Sequence, residues 1–356
     1  MANPGESRLD YPFGDTLPAL GAALDVAPGV RWLRMPLPFA LDHVNLWLLR
    51  DRLDGVDGWT VVDCGVADAA TKAAWERVFA SALDGLPVLR VIVTHMHPDH
   101  VGLAHWLTAR WSTPEHACRL WMSATDSHAA HVASSPTSAL RGEAAVTHYA
   151  SHGLADPAAL DAVRRRGGYY ATLVPALPAQ FRRLLDGHSV DAGGQRWHCH
   201  VGHGHSPEHI ALHCPALGVL IAGDMVLPRI STNVSVFDLE PEADALSLYL
   251  ASIERLRALP EGTLVLPSHG RPFTGLRRRI DQLAEHHRER LAEVMTACAE
   301  RPQTAADLLP TMFRRALDPY QTSFAMGEAI AHLNALWLQG RLVRARGDDG
   351  VLRFSA

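Results

Sequence analysis

The sequence predicts an α/β protein: a main domain built as an α/β sandwich, a helical insertion and a small C-terminal winged-helix-like domain. Short apolar runs alternate with stretches of helical spacing, and this order occurs twice in the main domain. A stretch rich in Ala and His interrupts it at about 124–185. The tail has the pattern of helices followed by a hairpin. We therefore divide the chain into an irregular lead-in (1–29), the main domain (30–298) and the winged-helix-like domain (299–356).

The predicted strands are short runs rich in β-branched and aromatic residues. The run at 88–93 is the clearest, because a Gly-Leu-Pro break precedes it. Runs of this length are typical of strands that are buried inside a sandwich. Strands are predicted at 30–37, 43–50, 59–63, 88–93, 119–122, 195–200, 210–214, 219–221 and 264–266.

The predicted helices show apolar residues at helical spacing. The first helix of the main domain ends near Gly85, a common helix terminator. Helices of the main domain are predicted at 67–83, 101–109, 244–259 and 276–298. The insertion is predicted to be mostly helical, with breaks at Pro136, Pro157 and Pro175. The tail is predicted to be helical at 304–309, around Ala316 and at 323–338.

Composition limits the function classes. Hydrophobic residues make up 47% of the chain and charged residues 20%, as in ordinary soluble proteins. The net charge of −5 gives no sign of a polyanion-binding surface. The five cysteines form no Cys-x-x-Cys motif, so neither a disulfide framework nor a cysteine metal site is indicated. No segment has the pattern of a signal peptide or a membrane span, so we expect a cytoplasmic protein without a membrane partner.

Metal-competent side chains are concentrated in the loop after the predicted strand at 88–93. This loop carries His95, His97, Asp99 and His100 within six residues. His95 and His97 alternate along extended backbone and so point to the same side, and Pro98 redirects the next two residues to a second point. Imidazole and carboxylate together suit zinc and similar metals. With 21 His in the chain, a solvated loop with chance histidines is the alternative, but the order and neighbours of these residues favour a metal site.

Three later stretches each present one more ligand type at the end of a predicted strand. His205 lies in Gly-His-Gly-His-Ser-Pro-Glu-His (202–209), Asp224 follows the strand at 219–221, and His269 follows the strand at 264–266. A buried Asp is costly without a partner, and a metal ion would supply that partner. Each residue alone is weak evidence, but their joint occurrence after the four-ligand loop predicts one metal centre.

The loop motif, followed by the three single ligands in this order, resembles the motif series of the metallo-β-lactamase superfamily. Asp63, in Val-Val-Asp-Cys-Gly (61–65), matches the early Asp motif of that family, with Cys64 where Thr or Ser is frequent. The resemblance covers roughly residues 30–275. It implies an αββα sandwich with a dinuclear metal site along one edge.

The resemblance also implies a place for each ligand. One metal would be held by His95, His97 and His205, the other by Asp99, His100 and His269, and Asp224 would bridge the two. Asp63 would orient the site from outside, as metal ligands generally require. His203 and His209 are alternatives for the third imidazole of the first metal, and His205 is preferred for its Gly-His-Ser context.

The branch of the family is indicated by the same motif. The Gly-His-Ser-Pro wording around His205 looks most like the hydroxyacylglutathione hydrolase and lactonase branches. The full seven-ligand set argues against the persulfide dioxygenases, which hold a single iron.

Two cations held in this way would stabilise hydroxide, so that a water shared between them loses its proton near neutral pH, and the bridging hydroxide would attack a carbonyl or phosphoryl centre. Asp99 and Asp224 are the predicted catalytic residues, and Asp224 is expected to accept or relay the proton. We expect two zinc ions, with iron or manganese as alternatives, because the same ligands suit all three metals. The predicted activity is hydrolysis of a thioester, an ester or a lactone of a small acyl compound.

The insertion is the predicted lid or substrate wall, because it lies between the metal loop and His205. Its cations and tyrosines would suit an anionic acyl carrier, such as a coenzyme A or glutathione thioester. The candidate substrate-binding residues are His148, Tyr149, Arg164, Arg165, Arg166, Tyr169 and Tyr170.

The tail raises a rival function, an endoribonuclease or phosphodiesterase aided by the tail, because lactamase-like endoribonucleases also carry a C-terminal winged helix. Residues 303–356 contain six Arg and five acidic residues, a net charge of +1, so a nucleic-acid partner is not expected. We expect the tail to pack on the main domain or on a second subunit in a homodimer. A non-catalytic metal-binding or regulatory protein and an antibiotic-degrading lactamase are further alternatives. The complete ligand set argues against the first and the lack of a secretion signal against the second.

Overall fold

The structure is a computed structural model that describes residues 6–39, 41–135 and 142–356. The first five residues of the predicted lead-in and the predicted break at Pro136 lie outside the described residues. Two β-sheets pack face to face through a shared apolar layer, and helices pack on the outer side of each sheet. The predicted αββα sandwich is therefore confirmed.

The first sheet contains seven strands in sequence order, β1 to β7. β1 to β4 pair antiparallel, and β4 to β7 pair parallel. Asp54 and Gly55, with φ of 51° and 85°, form a two-residue turn that fixes the register of β3 and β4. The strands are β1 (Leu24–Ala27), β2 (Val30–Pro36), β3 (His43–Leu53), β4 (Val56–Val62), β5 (Val88–Ile92), β6 (Arg119–Met122) and β7 (Phe181–Arg183).

The second sheet contains five strands in the order β12-β11-β10-β9-β8. β11 and β12 are parallel, and the other neighbours are antiparallel. These strands are β8 (Ser189–Ala192), β9 (Gln195–Gly202), β10 (His209–Cys214), β11 (Val219–Gly223) and β12 (Leu264–Pro267). A separate hairpin in the tail consists of β13 (Val343–Arg346) and β14 (Leu352–Ser355).

The helices fall into three groups. In the first half of the main domain are a 3-10 helix (Glu6–Arg8), α1 (Ala69–Ser81), α2 (Pro98–Val101) and α3 (Ala104–Trp111). The insertion contains α4 (Ala124–Ser134), α5 (Glu143–Ser151), α6 (Pro157–Arg165) and α7 (Tyr169–Leu173). The remaining helices are α8 (Ala245–Leu256), α9 (Leu276–Glu300), α10 (Ala305–Met312) and α11 (Pro319–Leu338).

Alternation along β3 explains how one strand serves two apolar layers. Leu46 and Leu48 point to the layer covered by α1, whereas Trp47 and Leu49 point to the layer between the sheets. All four side chains are at most 1% exposed. Because successive side chains of a strand point to opposite faces, a continuous apolar run is required wherever both faces are covered.

Several short elements differ from the prediction. The lead-in, predicted to be irregular, contains β1, and the insertion, predicted to be mostly helical, ends in β7. The region around Ala316 is not helical. α10 ends before Phe313 and Asp318 already caps α11, so the few residues between them are too short for another capped helix. β1 (Leu-Asp-Val-Ala) and β7 (Phe-Arg-Arg) lack the apolar run by which equally short strands, such as β6, are recognised.

The tail packs on the main domain, one of the two arrangements expected for it. Leu308 of α10 and Ile330 of α11 belong to the same apolar cluster as Leu246 of α8 and Val163 of α6. The helix α9 runs without a break across the predicted domain boundary at 298. The tail and the helices α5 and α6 of the insertion therefore share one apolar cluster with α8 and α9, whereas Ala130 of α4 and Tyr170 of α7 belong to the cluster of the first sheet. Among the described residues, no helix combines the length and apolar character that crossing a membrane requires.

Candidate metal centre

The loop after β5 is shaped by its backbone partners. The carbonyl of Thr94 accepts a hydrogen bond of 2.8 Å from the N–H of Ile210 at the start of β10, which joins the two sheets at this point. Pro98 occupies the first turn of α2, where its missing N–H costs nothing. The short helix α2 then places Asp99 in its first turn and His100 in its last. His95 and His100 are fully buried.

The other three predicted ligands follow the ends of strands at one edge of the second sheet. His205 follows β9, Asp224 follows β11 and His269 follows β12. These three strands run in the same direction, because β9 and β11 are both antiparallel to β10, and β12 is parallel to β11. Their carboxyl ends therefore meet, as the ends of parallel strands do at ligand sites of open sheets.

The structure brings all seven predicted ligands together. In the described part of the chain, two groups of side chains have the geometry to hold an ion, and the ligand atoms within each group lie within 4.8 Å of one another. One group is His95, His97, His205 and Asp224, and the other is Asp99, His100 and His269.

Asp224 is positioned to serve both groups with its two oxygens. Its Oδ2 lies 3.3 Å from Nε2 of His205 in the first group. Its Oδ1 lies 3.6 Å from Nε2 of His100 and 3.4 Å from Nε2 of His269 in the second. Asp224 therefore lies between the two groups, and the bridging role that the sequence resemblance implies for it stays a prediction.

Two glycines allow this close packing. Gly204 has φ of +93°, and a Cβ there would lie 2.2 Å from the carbonyl oxygen of Ala245 at the start of α8. Gly223 has φ of +55°, and a Cβ there would lie 2.2 Å from Nε2 of His209. Only glycine has both the conformational freedom and the small size for these positions.

Each imidazole that presents Nε2 to the site is fixed through its other nitrogen. The Nδ1 of His100 lies 2.8 Å from Oδ2 of Asp63. The Nδ1 of His269 donates to the carbonyl of His43, and the Nδ1 of His205 donates to the carbonyl of Asn233, at 2.8 and 2.7 Å. Such partners select the tautomer that leaves Nε2 free for an ion.

Comparison with known proteins identifies the family. Residues 40–269 match the family model described as the metallo-beta-lactamase superfamily. The chain belongs to the metallo-beta-lactamase superfamily. Residues 291–356 match a second model, described as the metallo-beta-lactamase-like C-terminal domain.

Relatives of known structure span nearly the whole chain of this superfamily member. A beta-lactamase domain protein from Burkholderia ambifaria is 58% identical, with a TM-score of 0.92 and 98% of each chain covered. A metallo-beta-lactamase family protein from Thermus thermophilus is 27% identical, with a TM-score of 0.74, and 93% of this chain and 99% of that chain are covered. A curated relative, "Probable metallo-hydrolase YqjP" of Bacillus subtilis, is 23% identical over 320 residues, which are 85% of this chain and 91% of that protein.

The electrostatics of the superfamily site prepare it for cations. Burial and neighbouring imidazoles hold the pKa of His95 well below its ordinary value, and burial with His205 lowers the pKa of His97 to about 3. Burial raises the pKa of Asp99, but His100 and His269 outweigh it and bring this pKa to about 2. Burial also raises the pKa of Asp224, but the neighbouring His269 and His100 lower it by more, so the pKa of Asp224 lies well below its usual range. Neutral imidazoles and ionised carboxylates are the forms that bind metals.

Two buried atoms supply a test of whether an ion fits. Among the described residues, Nε2 of His100 and Oδ1 of Asp224 form no hydrogen bond of good geometry, and the ion-pair distances around them are 3.4 to 3.6 Å. A buried polar atom without a partner costs free energy, and both atoms belong to the predicted ligands. The donor set and these two atoms fit divalent cations.

A pH dependence follows for the metal-free protein. Burial lowers the pKa of His100, but Asp99, Asp63 and Asp224 outweigh it and raise this pKa to about 9. The pKa of His269 is raised well above its ordinary value, because Asp224 and Asp99 outweigh burial there as well. At these two imidazoles, the folded metal-free protein therefore holds protons that the unfolded chain releases as pH rises above about 6.5.

We expect the contribution of these two protonated imidazoles to the stability of the metal-free protein, on the order of a few kcal/mol, to be lost as pH rises from 6.5 towards 9, so that the wild type loses more stability over this range than His100→Gln. The metal-loaded protein should change less, because bound cations replace these protons. Thermal melts of both forms at pH 6.5, 7.5 and 8.5, together with His100→Gln, check this. Parallel pH profiles for the two forms would contradict it.

Several residues that the sequence did not assign support the loops. Asp126 of α4 is buried and accepts the N–H of Met96 at 2.8 Å and the N–H of Glu208 at 2.6 Å, so it ties two ligand loops together. Burial raises its pKa, against these hydrogen bonds. Its sequence signal is only that of a helix N-terminus, which gives no sign of this role. Thr94 also contributes, with its hydroxyl 3.0 Å from Nδ1 of His95.

The two alternatives to His205 have other partners. His203 lies with Nδ1 2.6 Å from the carbonyl of Pro207 and belongs to neither group. His209 is buried, and its Nε2 accepts the backbone N–H of Asp224 at 3.1 Å. His209 therefore holds the backbone of Asp224 in place instead of joining the ligand groups.

The predicted substrate residues occupy mixed positions. Tyr149 lies in the apolar cluster under the tail, and the buried Tyr170 donates its hydroxyl to the carbonyl of Met96 in the metal loop. Tyr149 therefore packs in the core, and Tyr170 supports the metal loop. His148 is buried and lines a separate cavity of about 920 Å³ between α5, residues 238–242 and the tail hairpin. Tyr169 is half-buried near Arg166 and Tyr320.

The three arginines at 164–166 also have partners within the protein. Arg164 pairs with Glu143 and Arg165 with Asp161 at the surface. Arg166 donates to the hydroxyl of Ser323, and its guanidinium carbon lies 4.5 Å from the ring centroid of Tyr320. These contacts join the insertion to α11.

Proposed function

We propose that the protein is a metal-dependent hydrolase with two divalent cations in this site, with zinc as the expected metal. His95, His97 and His205 would hold one ion, Asp99, His100 and His269 the other, and Asp224 both. The observation that carries the proposal is the pair of buried atoms without a hydrogen-bond partner among the described residues, Nε2 of His100 and Oδ1 of Asp224, at the centre of seven converging ligands. Iron and manganese share these ligand preferences.

The cations, when bound, supply Lewis acidity that activates water and polarises the electrophile. The chain supplies the rest. The low pKa values of Asp99 and Asp224 keep both carboxylates ionised at neutral pH, so either can accept a proton from an approaching water. The side chain of Asp99 is only 16% exposed and that of Asp224 10%, so little bulk water competes for these oxygens.

The proposed substrate is a thioester, an ester or a lactone of a small acyl compound. The Gly-His-Ser-Pro sequence around His205 supports this class, and the curated relative named as a probable metallo-hydrolase supports hydrolysis in general. A nucleic-acid substrate is disfavoured by the net charge of +1 in residues 303–356. The homodimer, the cytoplasmic location and a winged-helix assignment of the tail stay predictions.

A substrate panel tests the proposal. Protein loaded with Zn²⁺, Mn²⁺ or Fe²⁺ is assayed with acyl thioesters, aryl esters, lactones, a phosphodiester, RNA and a β-lactam. We expect turnover of a thioester, ester or lactone that is lost on chelation and restored by the metal. Turnover confined to the phosphodiester or RNA would establish the rival function, and no turnover of any class by metal-loaded protein would favour a non-catalytic role.

A further inference from the structure

Three of the imidazoles that are fixed through Nδ1 differ in what fixes them. His100 is held by Asp63 next to β4, and His269 by the carbonyl of His43 on β3. His205 depends on the carbonyl of Asn233, which lies in residues 225–244, here called the β11–α8 segment. Around Asn233, this segment has no helix or strand of its own. The orientation of His205 therefore depends on whatever holds the β11–α8 segment in place.

The main domain holds the first part of this segment. The buried Arg279 of α9 donates to the carbonyls of Leu227 and Ile230. The hydroxyl of Thr232 donates to the carbonyl of Asp224. These contacts end one residue before Asn233.

The tail holds the second part. The N–H of Val236 donates to the carbonyl of Gly327 in α11 at 3.1 Å. Further along, the buried Asn334 of α11 donates from Nδ2 to the carbonyls of Pro241 and Ala243, at 3.0 and 3.2 Å. The β11–α8 segment is thus clamped between the main domain on one side of Asn233 and the C-terminal helix on the other.

The absence of a side chain at Gly327 determines how closely α11 can approach the β11–α8 segment. A Cβ at this position would lie 2.8 Å from both Cβ and Oγ of Ser235, a contact that forces a shift. The same Oγ donates to Oδ1 of Asn233 at 2.8 Å. A displacement of Ser235 would therefore also displace Asn233, whose carbonyl holds His205. Gly327 lies inside α11, where Gly costs about 1 kcal/mol relative to Ala. Its role here is space, not a turn.

We propose that Gly327 is a positioning residue for the metal centre, through which the C-terminal helix orients His205. This inference rests on the proposed metal site. α11 completes the ion site formed by His95, His97, His205 and Asp224. The tail is therefore part of the metal centre's framework, in addition to being a packing layer.

The test compares Gly327→Ala with the control Gly262→Ala. Gly262 has open space at its Cβ position and no positive φ, so its replacement introduces no clash. Zn²⁺ affinity is measured by competition with a chromophoric chelator, and the site is observed through the visible spectrum of bound Co²⁺. Partners of metal ligands typically contribute 10- to 100-fold in affinity. We expect Gly327→Ala to weaken one of two bound ions at least 10-fold and to alter the Co²⁺ spectrum, with Gly262→Ala unchanged.

A rescue variant separates positioning from general damage. Ser235→Gly removes both atoms that an alanine at 327 would meet. Adding it to Gly327→Ala should restore most of the affinity. Wild-type affinity in a folded Gly327→Ala variant, judged by circular dichroism, would overturn the inference while leaving the metal site standing. Wild-type protein that binds no ion would overturn both.

A measurement on the unaltered protein covers the case in which Gly327→Ala does not fold. If α11 and the ion site share the β11–α8 segment, metal loading must stabilise their contacts, because coupling between two sites is reciprocal. We expect slower hydrogen exchange of the Val236 N–H in metal-loaded protein than in metal-free protein, with α1 (Ala69–Ser81) as the unaffected reference. Equal exchange of Val236 in the two forms would refute the coupling.

Discussion

Asp224→Ala is expected to lower kcat/KM by about 10³-fold or more and to reduce the content of bound metal. Asp224 is the one side chain of the seven ligands whose two oxygens face both groups, with 3.3 Å to His205 and 3.4 Å to His269. In the proposed site, its removal would delete a ligand from each ion and one of the carboxylates that balance the charge of the buried imidazoles. A loss of about 4 kcal/mol of transition-state stabilisation corresponds to this factor.

The measurement pairs steady-state kinetics on the best substrate of the panel with metal analysis of the purified protein. The control is Asp57→Ala, which removes a half-exposed carboxylate whose ion-pair partner is Arg52, at 3.8 Å. Excess metal should not restore Asp224→Ala, because the missing oxygens belong to the site itself. A variant with two bound ions and more than a tenth of wild-type activity would show that Asp224 does not join the two groups.

The ligands could be predicted from the sequence because metal chemistry restricts them to a few residue types. His and Asp after apolar strands are visible in a single sequence, and the parallel direction of β11 and β12 explains why His269 and Asp224 meet. Asp63 was also recognisable from its motif. The fold followed from the same apolar runs, since strands that are covered on both faces must be apolar throughout.

The supports of the site could not be predicted in the same way. Two of the four partners that fix Nδ1 atoms are backbone carbonyls, of His43 and Asn233, and a carbonyl has no sequence signature. Asp126 was missed because its two N–H partners, Met96 and Glu208, come from loops far apart in the chain.

The substrate residues show a second limit. Composition favoured Tyr149 and Tyr170 as substrate contacts, but it cannot tell a tyrosine on a lid from one packed beneath it. The structure places Tyr149 in a core that the tail completes. That core forms only when α10 and α11 fold back over the insertion, a long-range arrangement that local periodicity does not encode.

Asp63→Asn tests whether orientation of a ligand is as important as its identity. Asp63 accepts the N–H of Thr94 at 2.7 Å and its hydroxyl at 2.9 Å, and Oδ2 lies 2.8 Å from Nδ1 of His100. The backbone φ of 63° is one that Asn tolerates as well as Asp, so the substitution changes charge and hydrogen bonding with little added strain. An amide nitrogen in place of Oδ2 would face the N–H of His100 with another donor.

We expect Asp63→Asn to weaken metal binding by 10- to 100-fold, because His100 loses the acceptor that fixes its ring. The control is Asp54→Asn, which makes the same change at φ of 51° in the β3–β4 turn. Activity is titrated against free Zn²⁺. Because the seven ligands remain, activity of Asp63→Asn should approach that of the wild type as Zn²⁺ is raised about 100-fold, whereas Asp224→Ala should stay inactive. Equal titration curves for Asp63→Asn and the wild type would show that the Asp63 contact does not set the position of His100.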